Sequence, residues 1–177
     1  MARAGAKGTQ AAKIPVLPQD GVKGGDDSSH FMVRHAVIME IRFPDGTVVM
    51  ACSLAERREN NPNRDFGLYL DPAWRPTWDA ELIDWPDLGI PADPTAAATQ
   101  IVKAFARARR GDRVEIGCHF GLGRTGTVLA CMATLAGVAA KDAVAWVRAN
   151  YRAEAVETHD QSRWVLWFAR RHNRYGE

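Results

Sequence analysis

The stretch that most restricts the fold of this chain runs from Arg113 to Gly126. Arg113 to Gly117 reads as a short strand, with β-branched Val114 and Ile116 alternating with polar positions. Cys118 to Arg124 reads Cys-His-Phe-Gly-Leu-Gly-Arg, a glycine-rich loop, and about Arg124 to Ala136 has the composition of a helix closed by Gly137. A strand that passes through such a loop into a helix is a unit of an alternating architecture. The chain repeats that alternation, which predicts an α/β fold: a mostly parallel central β-sheet flanked by helices.

The remaining elements read as follows. Val33 to Phe43 and Thr47 to Ala51 flank a Pro44-Asp45-Gly46 turn and predict a hairpin. Ser53 to Arg64 is polar and reads as loop. Phe66 to Leu70 and Glu81 to Ile83 are short strands, with proline-containing loops at Asp71–Thr77 and Trp85–Pro94. A helix is expected from about Thr95 to Arg110, started by Asp93 or Thr95, with Ala98, Ile101, Val102 and Phe105 on its apolar face. Arg107, Arg109 and Arg110 suit the negative end of its dipole. Two more helices are expected at Lys141–Asn150 and His159–His172. Residues 1–31 lack periodicity and read as a tail, leaving 32–177 as one domain, a length that can bury a core without metal or disulfide staples.

Charge and cysteine content narrow the function classes. A net charge of +2 carries no nucleic-acid or membrane signature, and no apolar run reaches the roughly 18 residues needed to span a bilayer. Neither partner is expected. The three cysteines, Cys52, Cys118 and Cys131, fit a reducing, cytoplasmic setting better than a disulfide framework. Cys131 reads as a buried thiol.

Cys118 reads differently. A strand, a tight loop and a helix N-terminus together make an anion site, because backbone N–H groups converge and the helix end adds partial positive charge. Gly121 and Gly123 permit the curl, and Arg124 ends the loop with a planar fork matched to two phosphoryl oxygens. The same field favours the thiolate of Cys118, so nucleophile and phosphate cradle come from one loop. Cys52 and Arg58 have the same spacing, but the residues between them, Ser-Leu-Ala-Glu-Arg, contain no glycine and one acid. That segment would repel phosphate.

The run Cys118-x-x-Gly121-x-Gly123-Arg124-Thr125-Gly126 resembles the phosphate-binding loop of the protein tyrosine phosphatase superfamily, and the compact, dual-specificity-like branch is the closer match. The resemblance covers residues 80 to 170 well and 32 to 80 by general layout. It implies that Cys118 is the nucleophile and that His119, Phe120, Gly121, Leu122, Gly123 and Arg124 surround the phosphate. Trp85-Pro86-Asp87 resembles the acid loop of these enzymes, which lies about thirty residues before the cysteine; Asp87 precedes Cys118 by 31. A positioned acid that protonates the leaving oxygen contributes about 10²- to 10⁴-fold. Asp84 is the alternative acid. Thr158-x-x-Gln161 resembles a motif opening the last helix of compact members, where the glutamine helps to position the hydrolytic water; as plain chemistry Thr158 is a good N-cap and Gln161 a polar first-turn residue. Thr125 could donate to the sulfur or bond only backbone.

The resemblance implies a phosphate monoester substrate, protein phosphotyrosine first and phosphoserine or phosphothreonine next, with no cofactor and no metal. A lipid, nucleotide or RNA-end phosphatase with the same mechanism, and a phospho-binding module without catalysis, stay open as alternatives. Gly117 departs from the family, which has histidine there, and favours the binding module. The loop carries no lysine, which weakens a phosphoinositide reading. His119 is expected to face solvent. His172-Asn173-Arg174-Tyr175 looks like a phosphotyrosine-gating segment but lies at the wrong end of the chain. Trp74, Trp78, Trp146, Trp164 and Trp167 are expected to pack, with Trp74 or Trp78 a possible wall of the substrate cleft.

Overall fold

The structure, a computed structural model, describes residues 38–56 and 64–172. The expected tail at 1–31, the domain start at Met32, Arg58 and Asn173–Tyr175 lie outside the described residues.

A turn at Asp45-Gly46 joins strands β1 (Ile38–Arg42) and β2 (Val48–Ser53), with Asp45 Oδ1 accepting from the Thr47 amide at 3.0 Å. β2 extends to Ser53, two residues beyond the expected end, because Cys52 and Ser53 pair with the next strand. Strands β3 (Phe66–Tyr69), β4 (Ala80–Leu82) and β5 (Val114–Cys118) complete one five-stranded sheet in the order β1-β2-β5-β3-β4. β1 and β2 are antiparallel, and the other three pairs are parallel. β5 is therefore the central strand, buried along its whole length.

Side chains on a strand alternate between faces, and the register turns that alternation into two rows. Ala51, Ile116 and Leu68 stand level on one face and join the main core. Cys52, Gly117 and Tyr69 stand level on the other, where Cys52, Leu54 and Tyr69 form a second cluster with Trp74 and Trp78 packed against it. Burying each large aliphatic chain such as Ile116 or Leu68 contributes about 1.5–3 kcal/mol. Glu115 is a charged residue in the central strand, on the same face as Gly117. The Tyr69 hydroxyl donates to its Oε1 at 2.5 Å, Trp78 Nε1 donates to that hydroxyl at 3.0 Å, and Arg64 Nε lies 3.5 Å from the carboxylate. A buried charge is tolerated when it is paired and hydrogen-bonded in this way.

Helix α1 (Pro94–Arg109) is capped by Asp93, whose carboxylate accepts from the amides of Thr95 and Ala96 at 3.0 and 2.9 Å. Four alanines among its buried residues let it approach the sheet closely, beside Ile101 and Phe105; Val102, expected on that face, is half-buried. Helix α2 (Gly123–Leu135) is buried from Gly123 to Thr134, its apolar residues in the core and Arg124 and Thr125 at the loop end. It packs against β5, α1, α3 (Ala143–Asn150) and α4 (His159–His172). Cys131 lies inside α2, and burial pushes its thiol pKa well up. Of the five tryptophans expected to pack, Trp146 stacks on Phe43 and Trp164 sits in the core, but Trp167 is exposed, since α4 turns that position outward. No helix among the described residues is long and apolar enough to cross a membrane.

Candidate active site

Cys118 ends the central strand, and α2 begins five residues later. The loop between them is held from outside through its carbonyls. Cys118 O accepts from the Leu54 amide at 3.0 Å, and His119 O accepts from the Ala55 amide at 2.9 Å and the Ser53 hydroxyl at 3.0 Å. Phe120 O accepts from Arg152 Nη1 at 3.4 Å, and Gly121 O accepts from the hydroxyl of Tyr151. In a trans peptide the N–H points opposite to the carbonyl. Carbonyls turned outward at Cys118, His119 and Gly121 therefore turn the amides of His119, Phe120 and Leu122 inward. The α2 N-terminus adds its own amides, since Leu122 at the N-cap makes no side-chain capping bond. The bowl so formed has the polarity an anion requires.

Gly121 has φ +63°, and a side chain there would also meet Cys52 O at 2.7 Å. Both conditions demand glycine. Gly117 is constrained by space alone: a β-carbon would meet Cys52 Sγ at 2.7 Å, Leu54 Cδ2 at 3.1 Å and Tyr69 Cδ1 at 3.3 Å. The second hydrophobic cluster thus fills the place where the family carries histidine.

Cys118 is 1% exposed, and Thr125 Oγ1 donates to its sulfur at 3.1 Å. Arg124 is 6% exposed, and its guanidinium is fixed on one side: Nη1 donates to Leu70 O at 2.9 Å and to Trp85 O at 3.1 Å. On the other side Nη2 lies 3.2 Å from Asp87 Oδ1, and the buried Nε has no hydrogen-bond partner among the described residues. A fork with one edge anchored and the other holding an unmatched N–H is set to receive a further acceptor.

Asp87 reaches Arg124 from the segment 84–92. Asp84 O accepts from the Ala92 amide at 2.9 Å and closes its base. The wholly buried Trp85 plugs it into the core, edge-on to Trp164 at 5.1 Å, with Nε1 donating to Gly89 O at 2.8 Å. Leu88 at its tip has φ +58°. The Asp87 side chain is 59% exposed.

His119 is half-exposed; its ring stands edge-on to Phe120 at 4.5 Å, and Nδ1 lies 3.8 Å from Asp71 Oδ2. Gln161 is buried. Its Oε1 accepts from the Thr158 amide at 3.3 Å while Thr158 Oγ1 accepts from the Gln161 amide at 3.2 Å, a reciprocal capping box that starts α4. The structure therefore brings Cys118, Thr125, Arg124 and Asp87 together around the loop. Trp74 and Trp78 belong to the second cluster, 6.1 Å from Tyr69 each, and pack as expected.

Sequence reasoning missed Tyr151 and Arg152, which hold loop carbonyls from about thirty residues downstream, and Ser53 from upstream. Burial pushes the Tyr151 pKa up, so its hydroxyl keeps the proton it donates. Nothing in the local pattern around these residues signals such a contact.

The family model for protein-tyrosine phosphatases matches residues 71–168. The uncharacterized protein MJECL20 of Methanocaldococcus jannaschii is 33% identical over 112 residues, 58% of this chain and 74% of that protein. Among solved structures, the active form of Tk-PTP aligns with a TM-score of 0.58 at 23% identity, over 74% of this chain and 97% of that one. Kinase associated phosphatase, carrying a serine in place of its catalytic-site cysteine, aligns with a TM-score of 0.61 at 13% identity, over 76% and 95%. These two share the fold. With more than half of its length matched by the family model, including the loop from Cys118 to Arg124 and the segment bearing Asp87, this chain belongs to the protein-tyrosine phosphatase family.

Proposed function

We propose that this chain hydrolyses phosphate monoesters, protein phosphotyrosine foremost, through a phosphocysteine on Cys118. The observation that carries the reading is the guanidinium of Arg124. It is anchored by two backbone carbonyls, meets Asp87 on its outer edge, and belongs to the loop whose sulfur accepts from Thr125.

In the first step Cys118 Sγ attacks phosphorus from the floor of the bowl. Arg124 and the inward amides take the charge on the equatorial oxygens, in the manner of an oxyanion hole. Asp87 protonates the leaving oxygen. The hydroxyl of Thr125 stabilises the thiolate before attack and again on departure. In the second step water displaces the sulfur, with Asp87 accepting a proton and Gln161 helping to orient the water. Arginine and backbone dipoles supply electrostatics that a metal supplies elsewhere, so the reaction needs none. An aryl ester fits best, because Phe120 is 60% exposed on one loop and Leu88 54% exposed on the other, giving a ring apolar surfaces to lie against.

The test is hydrolysis of p-nitrophenyl phosphate by wild type, Cys118→Ser and Asp87→Asn, with and without EDTA. Activity indifferent to EDTA, abolished by the cysteine change and lowered about 10²-fold or more by the aspartate change is expected. A wild type that binds phosphopeptide yet turns over no ester would replace the enzyme with a binding module. A panel of phosphopeptides, phospholipids and nucleotides ranks the substrates.

A further inference from the structure

We propose that Arg152 is a specificity-determining residue: it binds an anionic side chain next to the phosphorylated residue of the substrate, so that acidic phosphopeptides are preferred. The proposal rests on the phosphatase reading above. Arg152 stands in the segment after α3, and its Nη1 donates to Phe120 O at 3.4 Å. Phe120 is two residues past Cys118, which puts that guanidinium within roughly 13 Å of the Cys118 Cα atom. The side chain of a residue one or two positions from phosphotyrosine covers such a span.

The contacts of Arg152 separate it from a plain brace. Its bond is the longest of those that hold the loop carbonyls from outside, and Tyr151, the residue before it, makes the firm hold on Gly121 O. The brace therefore uses little of the guanidinium. Its buried Nε has no hydrogen-bond partner among the described residues. It also lacks a counter-charge. Arg107 lies 2.8 Å from both Asp79 and Asp112, Arg113 2.8 Å from Asp65, and Arg124 3.2 Å from Asp87, but no carboxylate among the described residues is within ion-pair distance of Arg152.

Arg152 is partly exposed, and Phe120, whose carbonyl it holds, presents an exposed ring. An aromatic and a cation thus border the bowl side by side. A chain lying across Phe120 brings its neighbouring side chains to Arg152. A carboxylate there accepts from a guanidinium N–H in a charge-assisted bond, whereas a neutral amide gains far less. Such binding acts on substrate and transition state alike. It lowers KM and leaves the chemical step at Cys118 as it was.

Phosphotyrosine peptides of one sequence, with glutamate, phosphoserine, glutamine or lysine beside the phosphotyrosine, test the subsite. Loss of phosphotyrosine is followed for wild type, Arg152→Gln and Arg152→Glu. Wild type should favour glutamate over glutamine by about tenfold in kcat/KM, carried by KM, and added salt should shrink that preference. A steeper preference for phosphoserine names a doubly phosphorylated segment and an equal one an acidic segment; both uphold the subsite. Arg152→Gln keeps a donor for Phe120 O and should bring the ratio to about one. Arg152→Glu should favour the lysine peptide over the glutamate peptide, a reversal that a purely structural arginine would not give. A weakened brace lowers all peptides alike and cancels in these ratios. A wild-type ratio near one, a preference that survives Arg152→Gln, or turnover of p-nitrophenyl phosphate but of no peptide would overturn the subsite. A wild type inert to the peptides and to p-nitrophenyl phosphate would instead remove the phosphatase reading beneath it.

Discussion

The two loops that meet at Arg124 are built on opposite plans. The phosphate loop, 118–124, is held through its carbonyls by groups from β2, from α2 and from the segment after α3, and Cys118 and Arg124 are almost wholly buried. The segment 84–92 leaves Asp87 and Leu88 exposed and is seated by the buried Trp85 and Pro91. Under the proposed mechanism the difference follows from what each loop does. A group that receives charge works best when its dipoles are fixed in advance, since nothing then has to reorganise. A group that delivers a proton to a leaving oxygen must also let substrate in, so it is placed on a segment with few holds.

Three substitutions bear on this contrast. Arg124→Lys should strike hardest, because a lysine cannot both anchor on Leu70 O and Trp85 O and offer a planar edge to phosphate. A fall of about 10²- to 10³-fold in kcat is expected, comparable to removing an oxyanion donor; a fall of a few-fold would mean the amides alone form the cradle. Tyr151→Phe should come next. It leaves Gly121 O without its donor, which costs about 1–3 kcal/mol in stability. The hydroxyl adds a pH signature. Its folded pKa is raised above the unfolded value, so its contribution is complete below about pH 10 and is lost as pH rises beyond. Denaturant titration should show wild type converging on the variant in alkali, and parallel curves would deny the role. Trp85→Phe should be mildest for stability, about 0.5–1.5 kcal/mol for the lost bond to Gly89 O. Under the proposed acid role of Asp87, its catalytic effect should appear with alkyl phosphates and vanish with good aryl leaving groups. An equal effect on both would show that Trp85 supports the cradle as well.

The parts legible in the amino-acid order are those made by neighbours in the chain. The strand at Val114–Cys118, its glycine-rich turn and the helix from Gly123 are contiguous, so their pattern carries their meaning. The parallel sheet followed from strands alternating with helices, and α4 from a capping box within four residues. Ends of strands were less legible. Ser53 reads as polar loop until its pairing with Cys118 draws it into β2.

Gly117 shows the limit most clearly. As a sequence feature it is a missing histidine that counts against catalysis. In the fold it is the position where Cys52, Leu54 and Tyr69 leave no room for a side chain.

By itself, the sequence determined the alternating architecture and the loop with cysteine, glycines and arginine in order, because hydrophobic period, backbone freedom and short spacing are local properties. Only the tertiary structure decided which carbonyls are turned outward, that Asp87 meets Arg124, that Tyr151 braces Gly121 and that Arg152 reaches Phe120 O. Those contacts join residues some thirty or more positions apart. No local preference encodes such a meeting; it exists only once the sheet has brought the strand ends to one edge.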